Sequence, residues 1–202
     1  MALSTKQAGV TLVVLCCLTP SVMNLPHPRN YEYDTFVFYN REQWGGREAT
    51  GVTEMVTPVP YVVIHHSYEP GACFSFEECT AAMRSMQNFH QIHQGWTDIG
   101  YNFAVGSDGA VYEGRGWDRV GAHAVGYNVR SIGIVLIGDW VSEVPRLKQL
   151  VTVKNLINEG VRLGYISPEY DLIGHRQVSA TECPGQALFE EITTWDRFQP
   201  TV

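Results

Sequence analysis

Two short runs of apolar residues constrain the fold of this chain more than any other feature. One covers residues 61–64 (YVVI) and is followed by two histidines, and the other covers residues 131–138 (SIGIVLIG). Runs of this kind, without alternating polar residues, are typical of strands that are buried on both faces of a sheet. The sequence therefore predicts a domain in which other elements cover a central sheet on both sides.

The remaining patterns predict the elements around these two strands. Further strands are predicted at residues 101–105 and 110–113, which form a hairpin, and at 170–174. Apolar residues at helical spacing predict helices at about residues 75–94, 145–164 and 188–195. The expected fold class is α/β, with a single mixed β-sheet of about five or six strands flanked by about three helices.

The first residues of the chain have the layout of a secretory signal peptide. Lys6 precedes an apolar run at residues 8–18, and a proline follows that run. We expect a signal peptide at about residues 1–23, a flexible leader at 24–35 and one globular domain at 36–202. No later apolar stretch in the sequence approaches the ~18 residues of a membrane-spanning helix, so a secreted, extracellular protein is predicted.

The charge of the chain argues against two classes of partner. The formal net charge is −7, and it becomes −8 once the predicted signal peptide, which contains Lys6 and no acidic residue, is removed. A chain of this charge is not expected to bind nucleic acid or an anionic membrane surface. A monomer is assumed.

A segment near the C-terminus, YDLIGHRQVSATECPG, carries two residues of metal-ligand type. His175 follows the last predicted strand, and Cys183 lies on the connection after it. The best candidate for a third ligand is one of the two histidines, His65 and His66, that end the first buried run. A zinc ion held by three protein ligands keeps its fourth position open for water, which is the arrangement of a catalytic site.

The number of cysteines bears on this site. Of five cysteines, two lie in the predicted signal peptide, which leaves Cys73, Cys79 and Cys183. Cys73 and Cys79 are close enough in sequence to form a disulfide in an oxidising compartment, and Cys183 would then be free to bind zinc as a thiolate. In the alternative pairing, Cys183 is bonded to one of the other two cysteines and the metal site is lost.

Several long segments resemble the peptidoglycan-recognition proteins of animals, particularly of insects, which are related to bacteriophage lysozyme-like zinc amidases. These segments are VVIHHSY, GWTDIGYNFAVGSDGAVYEGRGW, VGAHAVGYN, SIGIVLIGDW and GHRQVSATECPG. The resemblance runs from about Phe36 to the C-terminus and is specific, because the segments agree in order and spacing. It implies a groove for bacterial peptidoglycan and, in the catalytic branch, zinc-dependent N-acetylmuramoyl-L-alanine amidase activity.

The resemblance also assigns roles to individual residues. It implies that His65, His175 and Cys183 bind Zn²⁺, and Cys183 marks the catalytic branch because members that only bind peptidoglycan often have serine there. Tyr101 matches the catalytic tyrosine of the family and is expected to donate a hydrogen bond to the developing oxyanion. Thr181 is a second catalytic candidate, at a position where the phage enzymes have lysine.

The same resemblance implies a substrate groove. Its predicted lining is His66, Tyr68, Arg115, Gly116, Trp117, His123, Tyr127, Asn128 and Arg130. The pair Gly116-Trp117 resembles the form associated with peptidoglycan of the meso-diaminopimelic acid type, and Arg115 or Arg130 is a candidate partner for the additional carboxylate of that residue. For Trp117, a packing role as a plug at the surface is as good an interpretation as a place in the groove.

Two other functions are compatible with the sequence. The first is a receptor that binds peptidoglycan without cleaving it, which would show binding but no turnover with zinc. The second is a cysteine hydrolase in which Cys183 is the nucleophile and His175 its base. Loss of activity with a chelator that added zinc restores would indicate the amidase. Irreversible loss of activity after alkylation would indicate the cysteine hydrolase. An amidase would remove stem peptides that immune receptors detect, which implies a role in innate immunity.

Overall fold

The central element of the computed structural model, which describes Met1 and residues 35–202, is one mixed sheet of six strands. The strands are β1 (Val37–Tyr39), β2 (Val59–His66), β3 (Phe103–Val105), β4 (Ala110–Glu113), β5 (Ser131–Leu136) and β6 (Ile166–Gly174). Their order across the sheet is β1-β4-β3-β5-β2-β6. The fold therefore confirms the predicted single mixed sheet.

The two apolar runs lie side by side in the middle of this sheet. Strands β2 and β5 are parallel, with Tyr61 opposite Ser131 and His66 opposite Leu136. Every residue of β5 is buried, as the unbroken apolar run predicts. On its other side β2 pairs with β6, again in parallel, so the last residues of all three strands lie at one end of the sheet.

The predicted hairpin is present, and a strand that the sequence did not predict extends the sheet beyond it. Strands β3 and β4 are antiparallel, and β1 pairs in parallel with the outer side of β4. The segment after β1 is anchored by Trp44, which is fully buried and donates a hydrogen bond from Nε1 to the carbonyl oxygen of Glu113 at 2.8 Å.

Three α-helices are present among the described residues, in agreement with the sequence. They are α1 (Phe76–Asn88), α2 (Leu147–Arg162) and α3 (Gln186–Ile192). The start of α1 is capped as expected, since the Ser75 side chain accepts a hydrogen bond from the Glu78 amide at 3.2 Å. The predicted extension of this helix to residue 94 is not α-helical, because residues 89–93 form a π-helical segment.

The predicted signal peptide and leader lie, apart from Met1 and Thr35, outside the described residues. Residues 35–202 belong to one compact unit. In this part of the chain, no helix combines the length and the apolar character that crossing a membrane requires.

Candidate metal centre

Three residues of metal-ligand type meet at the end of the sheet where β2 and β6 terminate. His65 is the next-to-last residue of β2, and His175 directly follows β6. Because Ile64 pairs with Gly174 in a parallel register, the residues that follow each of them are neighbours in space. Cys183 reaches the same point from the connection between β6 and α3.

The geometry of these three residues fits a zinc ion. One ligand atom from each of His65, His175 and Cys183 can be chosen so that all lie within 4.8 Å of one another. Sγ of Cys183 is 3.6 Å from Nδ1 of His65. Zinc bonds of about 2.1 Å to nitrogen and 2.3 Å to sulfur, arranged tetrahedrally, place the two ligand atoms about 3.6 Å apart. These residues therefore satisfy both the chemistry and the spacing of a site with three protein ligands.

The disulfide pairing of the other two described cysteines leaves the thiol of Cys183 free to bind a metal ion. Cys73 and Cys79 form a disulfide, with their Cα atoms 5.0 Å apart, and Cys183 is a free cysteine. The alternative pairing that would have removed the metal site is therefore wrong.

Burial sets the protonation states of the three candidate ligands. The pKa of His65 is well below its ordinary value, first because the ring is buried and then because His123 and His175 are close. Burial also lowers the pKa of His175. Both imidazoles are consequently neutral at physiological pH, which is the form that binds a metal.

Burial has the opposite effect on the pKa of the Cys183 thiol. Burial raises its pKa to about 12, although the amide of His66, 3.4 Å from Sγ, partly opposes this. A thiol with this pKa is a poor nucleophile at neutral pH, which argues against the cysteine hydrolase. A divalent cation that replaces the proton would supply the positive charge that the buried sulfur otherwise lacks.

Arg176, which the sequence analysis missed, holds the connection that carries Cys183. Its amide donates to the carbonyl oxygen of Cys183 at 2.8 Å, and its guanidinium donates to the carbonyl oxygen of Glu182 and to Oε1 of Gln186. Its position directly after His175 in the sequence is the signal that could have identified it.

A cavity of about 400 Å³ opens beside two of the candidate metal ligands, His175 and Cys183. It is lined by His66, Ser67, Tyr68, Tyr101, Val141, His175, Thr181, Glu182 and Cys183. Four of the predicted catalytic and substrate-binding residues, His66, Tyr68, Tyr101 and Thr181, therefore share this cavity with two of the predicted metal ligands. Sequence reasoning did not find Ser67, Val141 or Glu182, which immediately neighbour residues that it did assign.

Tyr101 and Thr181 occupy different parts of the cavity wall. The centroid of the Tyr101 ring is 5.2 Å from that of His65, and burial raises the pKa of the phenol above its ordinary value. Tyr101 therefore keeps its proton and can donate a hydrogen bond. Oγ1 of Thr181 accepts a hydrogen bond from the amide of Cys183 at 3.2 Å, so this hydroxyl helps to hold a candidate metal ligand.

The predicted groove residues around Gly116 lie outside the cavity that His175 and Cys183 line. Arg115 donates from Nε to the carbonyl oxygen of Ile99 and from Nη1 to that of Val120, both at 2.7 Å, and is buried. Trp117 is 2% exposed, with its ring stacked on that of Tyr165. Neither side chain lines the cavity beside His175 and Cys183, so their predicted role in the groove stays a prediction. Gly116 is buried as well, and its carbonyl oxygen accepts from Asn102.

The second predicted set of groove residues also lies outside this cavity. Oδ1 of Asn128 accepts hydrogen bonds from the amides of His123 and Ala124, both at 2.8 Å, so it supports the chain around His123. The guanidinium of Arg130 is 4.2 Å from the ring centroid of Tyr127 and 5.3 Å from that of Tyr61. None of these residues lines the cavity beside His175 and Cys183, and their contact with substrate stays a prediction.

A second cavity of about 430 Å³ adjoins the first, since Ser67 and Tyr101 line both. It continues along α1 and the π-helical segment, where Met86, Phe89 and His90 form part of its wall. The open space beside Cys183 therefore extends past Tyr101 towards the end of α1.

Residues 55–186 match the family model for N-acetylmuramoyl-L-alanine amidase. Peptidoglycan-recognition protein LB of Drosophila melanogaster is 54% identical over 159 residues, covering 79% of this chain and 68% of that protein. The chain belongs to the peptidoglycan-recognition protein family.

A second related protein and a solved structure are also similar to this chain. The N-acetylmuramoyl-L-alanine amidase of Homo sapiens is 46% identical over 165 residues, which cover 80% of this chain but only 29% of the human protein. A solved structure of a Drosophila PGRP-LB point mutant in complex with tracheal cytotoxin matches with a TM-score of 0.80 and 52% identity, over 80% of this chain and 96% of that one. The peptidoglycan-recognition fold predicted from the sequence is thus confirmed.

Proposed function

We propose that this peptidoglycan-recognition protein is a secreted, zinc-dependent N-acetylmuramoyl-L-alanine amidase. The observation that carries the proposal is the convergence of His65, His175 and free Cys183 beside a cavity that also contains Tyr101. A receptor that only binds peptidoglycan has no need of three converging metal ligands. Secretion rests on the signal-peptide layout of residues 1–23.

The scissile bond in this proposal is the amide that joins the lactyl group of N-acetylmuramic acid to L-alanine. Zinc, when bound, would polarise the carbonyl group and lower the pKa of water. Two neutral imidazoles and one thiolate leave the site with a net charge of about +1, which favours both effects. Tyr101 donates a hydrogen bond to the carbonyl oxygen as negative charge develops on it.

His66 supplies a second donor on the cavity wall. Its Nδ1 accepts a hydrogen bond from the amide of Trp140 at 3.3 Å, so the proton of the neutral ring is carried by Nε2. Because His66 lines the cavity, this N–H is available to a carbonyl group of the peptide or to a sugar hydroxyl. The ring thus orients substrate rather than binding the metal.

The proposed substrate is bacterial peptidoglycan or its muropeptide fragments. The structural relative in complex with tracheal cytotoxin supports this class of ligand, and the two adjoining cavities provide the length that a sugar with its stem peptide requires. We further propose a preference for the meso-diaminopimelic acid type, based on the resemblance of the sequence pair Gly116-Trp117 to the form associated with that type. Removal of stem peptides would reduce the stimulation of immune receptors.

Arg130 is one of the two predicted partners, with Arg115, for the additional carboxylate of this peptidoglycan type. It packs against Tyr61, which lies on the same face of β2 as His65 because side chains alternate along a strand. The distance along the strand from Tyr61 to His65 is about 13 Å. Arg130 would therefore act at a distance from the reacting amide, and R130A should reduce cleavage of the diaminopimelic acid type more than that of the lysine type.

The test of the proposed activity compares wild-type protein with C183S. Muropeptide is digested and the products are identified by mass spectrometry. We expect the wild type to release free stem peptide with zinc, to lose this activity with a chelator and to regain it when zinc is restored. C183S should bind muropeptide without cleaving it. Cleavage by C183S, or wild-type cleavage that chelators do not affect, would contradict the zinc mechanism.

A further inference from the structure

The imidazole of His65 makes two polar contacts in different directions. Nδ1 faces the metal ligands and lies 3.6 Å from Sγ of Cys183. Nε2 lies 3.0 Å from Nδ1 of His123, and the two rings are nearly perpendicular, with their centroids 5.0 Å apart. One side of His65 therefore belongs to the candidate metal site, and the other is in direct contact with a second histidine.

The backbone around His123 is shaped to receive this ring. A Cβ atom on Gly133 would lie 2.4 Å from Cδ2 of His123, and a Cβ atom on Gly121 would lie at the same distance. The amide of His123 donates to Oδ1 of Asn128 at 2.8 Å, which fixes the chain at the position of the ring. Glycine in strand β5 and glycine in the connection before His123 thus leave a space that the imidazole fills.

His123 has little opportunity to contact substrate. The residue is 8% exposed, and its side chain is absent from the lining of the cavity beside His175 and Cys183. Within the described residues, its Nε2 is buried without a hydrogen-bond partner. The hydrogen-bonding contact of the ring is therefore directed at His65.

We propose that His123 is a positioning residue that fixes the orientation and the tautomer of the metal ligand His65. The inference rests on the proposed zinc site. A metal bound at Nδ1 of His65 takes the lone pair of that nitrogen, so the ring proton is on Nε2 and is donated to Nδ1 of His123. Metal-binding histidines commonly donate this second N–H to a carboxylate or a carbonyl group.

The use of an imidazole as the hydrogen-bond acceptor behind His65 affects the net charge at the proposed zinc site. A carboxylate behind His65 would add a negative charge and would reduce the net positive charge at the metal. The neutral ring of His123 orients the ligand without that charge. The geometry therefore combines a fixed ligand with a site that retains the polarising power on which the proposed hydrolysis depends.

The test uses two substitutions with the same branched shape. In H123N, the side-chain oxygen takes the place of Nδ1 and keeps the acceptor, whereas H123L has no acceptor. Folding of each zinc-free protein is checked by circular dichroism. The dissociation constant for zinc is then measured by competition with a chromophoric chelator, and the absorption bands of the Co²⁺-loaded proteins report the ligand geometry.

We expect H123L to bind zinc about 10- to 100-fold more weakly than the wild type and to show altered Co²⁺ bands. H123N should stay within about threefold of the wild type because it keeps the acceptor. Wild-type zinc affinity in H123L, or equal losses in both variants, would overturn the positioning role and leave the amidase proposal standing. If the wild type binds no zinc, both proposals fail. If H123L does not fold, H123A takes its place.

Discussion

Tyr101 is the residue whose chemistry depends most directly on where the fold places it. Its ring packs against His65, and burial, followed by the proximity of Cys183, raises the pKa of its phenol. The hydroxyl group therefore remains protonated across the physiological pH range. A neutral phenol beside the metal site can stabilise negative charge on the substrate carbonyl without competing for the metal.

Replacing Tyr101 with phenylalanine should separate this role from metal binding. We expect Y101F to lower kcat by about 10²- to 10³-fold, which is the usual effect of removing one oxyanion donor. Zinc affinity should not change, because the phenol is not among the ligands. Steady-state kinetics and zinc titration of the same preparation provide the measurement. A kcat close to the wild-type value, or a parallel loss of zinc, would contradict the assignment.

The structure brings the three predicted metal ligands together but places several predicted groove residues outside the cavity beside them, and the reason for this difference lies in the type of signal. His65, His175 and Cys183 are identified by their chemistry at the ends of recognisable elements. Trp117 and His123 lie in irregular connections, where the sequence does not determine which way a side chain points. Their burial could be seen only from the packing against Tyr165 and Gly133.

Among the elements, the C-terminal end of α1 is the one that borders the substrate cavities. The helix continues into the π-helical segment at residues 89–93, within which His90 is buried. Nδ1 of His90 accepts a hydrogen bond from the amide of Gly100 at 3.2 Å, and its ring stacks on Trp96. Burial, followed by the charge of Arg115, lowers the pKa of His90 to about 4.

This pKa predicts a stability change with pH. The neutral ring is favoured in the folded state, so its contribution is complete above the unfolded-state pKa of about 6.5 and is lost as pH falls towards 4. The free energy of unfolding should fall by about 2 to 3 kcal/mol from this group between pH 7 and pH 4.5. In H90N, the side-chain oxygen keeps the acceptor for Gly100 and does not titrate.

Urea denaturation of both proteins across this pH range isolates the contribution of His90. The other buried histidines titrate in both proteins, so their effects cancel in the difference. We expect the stability of the wild type to decrease more steeply than that of H90N. Identical pH dependence in the two proteins would show that His90 does not titrate differently in the folded and unfolded states.

The elements that the sequence failed to predict share a physical cause. Strand β1 has only three residues, one of them exposed, so it carries too little pattern to be identified. Strand β6 begins at Ile166, earlier than predicted, and its first part contains exposed Pro168 and Glu169. It lies at the edge of the sheet, where proline is tolerated. The central strands were predictable because burial on both faces imposes an apolar run.

The segment that precedes β2 packs into the core of the domain through Trp44. Trp44 is fully buried in a cluster with Met83, Ile99 and Tyr112, and so connects residues that precede β2 to α1 and to the outer strands. We expect W44A to reduce the free energy of unfolding by about 3–5 kcal/mol, because it leaves a large cavity. W44F should lose less, since it retains most of the packing and removes the hydrogen bond to Glu113.

Chemical denaturation measures both effects, with intact muropeptide binding as the control for the folded state. If W44A is as stable as the wild type, the N-terminal segment does not belong to the cooperative unit. The two variants are also compared with each other. If W44F loses more free energy of unfolding than W44A, the hydrogen bond of Trp44, rather than its packed area, determines its contribution to stability.

Measuring how this protein coordinates zinc is the most direct test of the proposed function. X-ray absorption at the zinc edge of the protein loaded with one equivalent of zinc should show one sulfur at about 2.3 Å, together with nitrogen and oxygen neighbours at about 2.0 to 2.1 Å. The sulfur contribution should disappear in C183S. A spectrum without sulfur in the wild-type protein would contradict a catalytic centre built from His65, His175 and Cys183.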